Sequence, residues 1–214
     1  MRRTGGRVMA DSAPVRLAVL VSGNGTNLQV VIDRIEAGEI NARMVCVVSN
    51  RQDAFALKRA EQHGIPTIIH EIGAYANRQA YDTALVEILR NQDVQLVLLA
   101  GFMRILTDVM VNAFPHAIMN IHPALLPAFP GLHAQQQALE YGVRFTGCTV
   151  HFVDIGTDTG PIILQAVVPV EADDTEETLA ARIQQEEHRV YPEAVRLFCA
   201  GKISMNGRRV RILS

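Results

Sequence analysis

VRLAVLVSGNGTNLQVVIDRIEAGEINARMVCVVS, residues 15–49, decides the fold. Its opening, Val15–Val21, is an aliphatic run of the kind that forms a strand buried on both faces. Leu28, Val31, Ile32 and Ile35 then recur on one stripe at helical spacing over Asn27–Ala37, with Gly38 placed to end the helix. Arg43–Ser49 returns to an apolar, β-branched run. Strand, helix and strand in so short a span make a βαβ unit, because parallel strands need a crossover and the crossover helix covers the sheet.

The alternation continues outward. Asp53 is placed to cap a helix that ends before Gly64, with Pro66 just beyond. Thr67–His70 reads as a short strand, and Asn77–Arg90 as a helix with Tyr81, Ala84, Leu85 and Ile88 inward. Gln95–Ala100 is a strand, Thr107–Phe114 a helix and Ala117–Asn120 a strand. This pattern predicts an α/β fold: a mostly parallel, doubly wound, Rossmann-like sheet with helices on both faces. The later chain predicts an antiparallel addition. Gln135–Tyr141 is a short helix, and strands Thr146–Val153 and Ile162–Val170 flank the loop Asp154–Pro161. Thr175–Ala200 is helical, with Pro192 expected to kink or divide it. Asn206-Gly207 marks a hairpin turn between Ile203–Met205 and Arg208–Ile212.

The chain has 214 residues, 49% hydrophobic and 20% charged, which excludes a disordered, collagenous or disulfide-stapled protein. Its 20 Lys and Arg against 22 Asp and Glu give a formal charge of −2, so no global positive field collects nucleic acid. An anionic ligand needs a local site. Cys46, Cys148 and Cys199 form no CxxC pair and read as reduced core residues, which predicts a reducing, cytoplasmic setting. The longest apolar run, Val94–Gly101, is too short to span a bilayer. Arg2, Arg3 and Arg7 precede no apolar segment, so residues 1–15 read as a flexible leader with an alternative start at Met9, not as a secretory signal. Residues 16–214 read as one domain, with halves at about 16–115 and 116–214.

Ligands in doubly wound sheets bind at the carboxyl ends of the strands, so Ser22–Asn27, Gly101–Leu106 and Asn120–Leu132 are the segments of interest. Ser22–Asn27 is either a phosphate cradle of backbone N–H groups at a helix N-terminus or a plain tight βα turn. It lacks the lysine of a nucleoside triphosphate loop and the GxGxxG of a dinucleotide site. Asn120 and His122 alternate onto one side of a strand. They could polarise a carbonyl and hold an oxyanion, or His122 could be a strand-end histidine bonded to a backbone carbonyl. Asp158 is either a turn residue or a carboxylate that raises the His122 pKa. Glu187 falls on the apolar stripe Leu179, Ile183, Val190 and Ala194, where a carboxylate seeks a cation such as an amine; the alternative is a solvated Glu186/Glu187 pair near Arg189. His63, His70, His116, His133, His151 and His188 show no metal-ligand spacing, and His133 is placed to support the Pro-rich loop after residue 122.

The segments SGNGTNL, AGFMRIL, NIHPALLPAFPGLH, TGCTVHFV, DTGPIILQ and EEHRVYP together resemble the phosphoribosylglycinamide formyltransferase family, over about residues 16–214. The resemblance implies a folate-dependent transferase of purine synthesis with 10-formyltetrahydrofolate as co-substrate and no metal. It implies that Asn120, His122 and Asp158 are catalytic. Gly25, Thr26, Asn27, Asn120, Ile121, Pro123 and Glu187 would bind glycinamide ribonucleotide. Arg78, Met103, Arg104, Ile105, Leu106, Asp154, Ile155, Gly156, Thr157 and Asp158 would bind folate. The C-terminal half would then carry catalysis and folate, and the N-terminal half the phosphate. The implied partners are these small molecules, with neither nucleic acid nor membrane, acting on a monomer or homodimer. Implied chemistry is attack of the glycine amine on the formyl carbon, with Asn120 and a protonated His122 holding the oxyanion and Asp158 assisting proton transfer. Competing readings are a 10-formyltetrahydrofolate hydrolase, expected to need a further N-terminal domain; a formyltransferase acting on a charged tRNA, expected to need a basic surface; and a non-catalytic folate- or nucleotide-binding protein.

Overall fold

The structure is a computed structural model that describes residues 13–213. The expected leader, with Met9, lies outside the described residues except at positions 13–15, and Val15 already belongs to the first strand. In chain order the elements are β1 (Val15–Val21), α1 (Thr26–Glu36), β2 (Ala42–Ser49), α2 (Phe55–Gln62), β3 (Thr67–Ile69), α3 (Arg78–Asn91), β4 (Leu96–Leu99), α4 (Asp108–Ala113) and β5 (Ile118–His122). There follow α5 (Ala134–Tyr141), β6 (Phe145–Phe152), β7 (Ile162–Pro169), α6 (Glu176–Cys199), β8 (Ile203–Asn206) and β9 (Arg209–Ile212).

Seven strands form one sheet in the order β3-β2-β1-β4-β5-β6-β7. The first five in the chain run parallel, and β6 and β7 add antiparallel at one edge. The chain reverses its winding between β1 and β4, so the crevice for a ligand opens where the loops after these strands part. The pleat of β1 divides the core. Leu17, Val19 and Val21 face one layer with α1, α2 and α6, while Ala18 and Leu20 face the other with α3 and α4. Tyr191 of α6, fully buried, brings its hydroxyl to the carbonyls of Leu99 (2.9 Å) and Met119 (3.2 Å), seating α6 across β4 and β5. The hairpin β8–β9 stands outside the sheet and rests against β7.

Several expectations need correction. Asp53 does not cap α2: Ala54 holds that position, and Asp53 pairs with Arg51 instead. α6 runs unbroken for 24 residues through Pro192, so the proline does not divide the helix; Pro192 is itself buried where α6 packs on the sheet. On α3, Ala84 and Ile88 are half-buried, whereas Asp82, Val86 and Leu89 are buried, so the inward stripe is rotated toward the loop before α4. The hairpin turn falls at Gly207-Arg208, one residue later than read from Asn206-Gly207. Cys199 is only half-buried; all three cysteines are unpaired.

Candidate active site

Ser22 opens the site. Its Oγ donates to Asn50 Oδ1 (2.7 Å) and accepts from Met103 N (2.9 Å), which joins the loops after β1, β2 and β4. The turn then reaches Gly25, whose φ of 76° lies in the left-handed region. No side chain among the described residues caps α1, so the first amides of the helix, at Thr26 and its successors, lack intrahelical acceptors. Those donors and the helix dipole make an anion seat. Arg59 steadies it by donating to Asn24 O (2.9 Å) and Asn24 Oδ1 (3.0 Å). Gln184 of α6 donates to Thr26 Oγ1 (3.1 Å). Arg59 and Gln184 were not legible in sequence, since only the packing of α2 and α6 on this turn brings them there.

Glu187 is buried on α6, and its Oε2 accepts from Asn27 Nδ2 (2.9 Å). Burial pushes the carboxyl above its ordinary range, and the Asn27 bond only partly opposes this. Asn27 Oδ1 is buried beside it with no partner among the described residues. A buried carboxylate next to an open acceptor is a receptor for an N–H-rich cation. The solvated-pair alternative holds for Glu186, which pairs with Arg189, but not for Glu187, which is buried.

The strand geometry of β5 continues through His122, as its pairing with β6 requires. That antiparallel register sets Asn120 opposite His151 and His122 opposite Thr149. His151, expected only as a surface or core residue, is therefore part of the cluster. Its Nδ1 bonds Phe152 O (2.9 Å), leaving Nε2 to accept from Asn120 Nδ2 (3.2 Å). One N–H of Asn120 is thus spent on His151 and one remains. Asp158 enters from the β6–β7 loop. Its Oδ2 accepts from Gly131 N (2.8 Å) and lies 3.4 Å from His122 Nδ1, and its Oδ1 lies 3.7 Å from His151 Nε2. Asp158 itself has φ 54°, a strained conformation for a residue with a side chain. His122 Nε2 donates to Phe129 O (2.8 Å), as the backbone-bonded alternative has it, and Nδ1 faces the Asp158 carboxylate.

The charge state differs from the expectation. Burial pushes the His122 pKa below its ordinary value, outweighing the Phe129 carbonyl and Asp158, which raise it; the neighbouring His151 lowers it further. Sequence shows the carboxylate but not the depth of burial, hence the wrong sign. Burial raises the Asp158 pKa, yet the Gly131 N–H it accepts and the nearby His122 and His151 rings hold it below the ordinary carboxylate range. The resting pair near neutral pH is a neutral imidazole beside a carboxylate.

The other expected residues occupy the rim. Ile121 packs into the core beside α6, and Pro123 is half-buried where the strand ends. Met103, Ile105 and Ile155 are exposed apolar side chains, and Leu106 is buried. Arg78 donates to Ile105 O (2.7 Å), and the Arg104 guanidinium stacks 4.4 Å above the Tyr81 ring. Asp154 folds back on its own loop, accepting from Gly156 N and Thr159 Oγ1, with Thr157 exposed beside them. A cavity of about 260 Å³ lies beside Asp158, lined by Pro127, Pro130, Gly160 and Arg208 among others. His133 is exposed and does not support the Pro-rich loop; Gln137 does, donating to Pro130 O (3.3 Å) and Leu132 O (2.8 Å). Among the described residues, no group of three or more His, Cys, Asp or Glu is arranged to hold a metal ion. No helix among them is long and apolar enough to cross a membrane.

The chain is similar to known proteins along most of its length. The formyl transferase family model matches residues 15–195. Phosphoribosylglycinamide formyltransferase of Escherichia coli is 44% identical over 192 residues, which cover 90% of this chain and 91% of that protein. The trifunctional purine biosynthetic protein adenosine-3 of Drosophila melanogaster is 47% identical over 188 residues, but the match spans only 14% of its length. The crystal structure of glycinamide ribonucleotide transformylase 1 from Symbiobacterium toebii superposes with a TM-score of 0.94 at 51% identity, covering 99% of this chain and all of that one. With the family model spanning most of its length and the Escherichia coli protein sharing nearly half the residues aligned, the chain belongs to the formyl transferase family.

Proposed function

We propose that the chain transfers the formyl group of 10-formyltetrahydrofolate to the glycine amine of glycinamide ribonucleotide, as the names of its relatives suggest. The observation that carries this reading is the cluster of Asn120, His122, His151 and Asp158 at the carboxyl end of β5. The phosphate docks on the open amides of α1, which need no lysine. Glu187 and Asn27 Oδ1 receive the amine end. The folate lies against the exposed Met103 and Ile105 and the 154–158 loop.

The amine lone pair attacks the formyl carbon, a C–N bond forms, and the carbonyl electron pair moves onto oxygen. The free N–H of Asn120 meets that oxygen. The attacking nitrogen must lose a proton, and neutral His122 takes it at Nδ1, beside Asp158, which stabilises the imidazolium as it forms. The carbonyl reforms, the bond to N10 breaks, and the proton passes to N10, giving tetrahydrofolate and the formylated amide. A cytoplasmic setting fits three unpaired thiols. The test is formyl transfer from 10-formyltetrahydrofolate to glycinamide ribonucleotide, with a control lacking the acceptor. Formate released at the same rate in that control would replace the transferase reading with hydrolysis.

A further inference from the structure

Asp82 is a buried carboxylate that the proposed chemistry does not use. It is 2% exposed on α3, and its Oδ2 accepts from both Thr107 N (2.6 Å) and Thr107 Oγ1 (2.7 Å). Thr107 ends the irregular segment after β4 and precedes α4. Asp82 does not act alone. Arg78, Tyr81 and Asp82 are spaced i, i+3 and i+4, so they share one face of α3. Arg78 holds the Ile105 carbonyl, the Tyr81 ring lies under Arg104, and Asp82 holds Thr107. From the opposite side, Ser22 Oγ holds Met103 N. A segment with no helix or strand of its own is thereby pinned at four of its residues. Between the pins it presents Met103 and Ile105, 66% and 56% exposed, to solvent.

Exposed apolar side chains on an untethered loop would collapse or fluctuate, and a ligand would have to order them on binding. A charged acceptor kept in the core, against its desolvation cost, makes sense if those two bonds fix the wall in advance. We propose that Asp82 is a positioning residue for the formyl donor: it holds residues 103–107 so that Met103 and Ile105 stand ready for the flat ring of a reduced pterin. This rests on the reading under Proposed function, and it adds a residue that touches no substrate.

The experiment measures KM for 10-formyltetrahydrofolate and for glycinamide ribonucleotide separately, with calorimetric binding of tetrahydrofolate and amide exchange over 103–107, in wild type, Asp82→Asn, Thr107→Val and Thr107→Ser. Asp82→Asn keeps an acceptor oxygen but takes the charge from both bonds, and is expected to raise the donor KM by about tenfold, with the acceptor KM within about twofold. Thr107→Val removes only the hydroxyl donor and shifts the donor KM less, Thr107→Ser restores it, and exchange quickens in the order of the KM shifts. A folded Asp82→Asn with an unchanged donor KM, or with both KM values rising together, overturns the proposal while leaving the transferase reading intact. If Asp82→Asn does not fold, the Thr107 pair decides: equal donor KM values for Val and Ser overturn it. Wild type that binds no tetrahydrofolate and transfers no formyl group overturns both readings.

Discussion

Under the proposed role of His122 as proton acceptor, His122→Ala is expected to lower kcat about 100–10,000-fold, the usual contribution of a positioned acid or base; steady-state kinetics on a variant with wild-type circular dichroism checks it. The His122 pKa lies below the ordinary histidine value in the fold. Its contribution to stability is therefore fully present above about pH 6.5 and is lost as pH falls through the depressed value. Asp158→Asn removes an influence that raises that pKa, so the imidazole should titrate lower still. An NMR titration showing the same pKa in both proteins would uncouple the pair. Glu187 carries the opposite sign. Burial raises its pKa, so its contribution is present below about pH 4.3 and is lost as pH rises. Glu187→Gln should raise Tm at pH 7.5 by about 2–4 °C, the shift that roughly 1 kcal/mol gives a domain of this size, and by less toward pH 4. The same variant should raise KM for the amine substrate, so that stability and binding move apart.

Two glycines in the β1–α1 turn differ in what they do. A Cβ on Gly25 would lie 2.6 Å from Ala56 Cβ and 2.9 Å from Ala56 Cα, on a residue already at φ 76°. The clash is with the start of α2, so Gly25 is needed for the turn to pack there. Gly23 has nothing within 4 Å of the same position. Gly25→Ala is expected to cost roughly 2–4 kcal/mol from left-handed strain and overpacking, and to raise KM for the phosphorylated substrate. Gly23→Ala should stay within about 0.5 kcal/mol. Urea denaturation of both variants makes the comparison; equal losses would mean that the turn does not depend on its contact with α2. At this scale the sequence was most readable. The predicted strand Val15–Val21 coincides with β1, and the predicted helix Asn77–Arg90 lies within one residue of α3 at each end, with Asn77 as its cap.

The C-terminal hairpin links distant parts of the molecule. Ile203, Met205 and Val210 pack on the core layer under α6, and Arg208 donates to the carbonyl of Thr159, next to Asp158. Deleting residues 203–213 should lower Tm by about 4–8 °C, as roughly 2 kcal/mol of apolar burial is lost, and should reduce kcat more than KM for the phosphorylated substrate. Calorimetry and kinetics on the shortened chain test this; an unchanged kcat would show that Arg208 does not steady the loop around Asp158. By itself, the sequence determined the alternation of strands and helices, the three loops at the sheet's carboxyl edge, and the placing of Asn120 and His122 on one side of a strand. All of these follow from periodicities of 3.6 and 2.0, which are local. Only the tertiary structure decided that β6 pairs antiparallel with β5 in the register that sets His151 against Asn120. It alone brought Asn27 to Glu187, 160 residues away, and Asp82 to Thr107. It also reversed the expected sign of the His122 shift. Register and burial arise from packing between distant segments, and no window of sequence contains both members of such a contact.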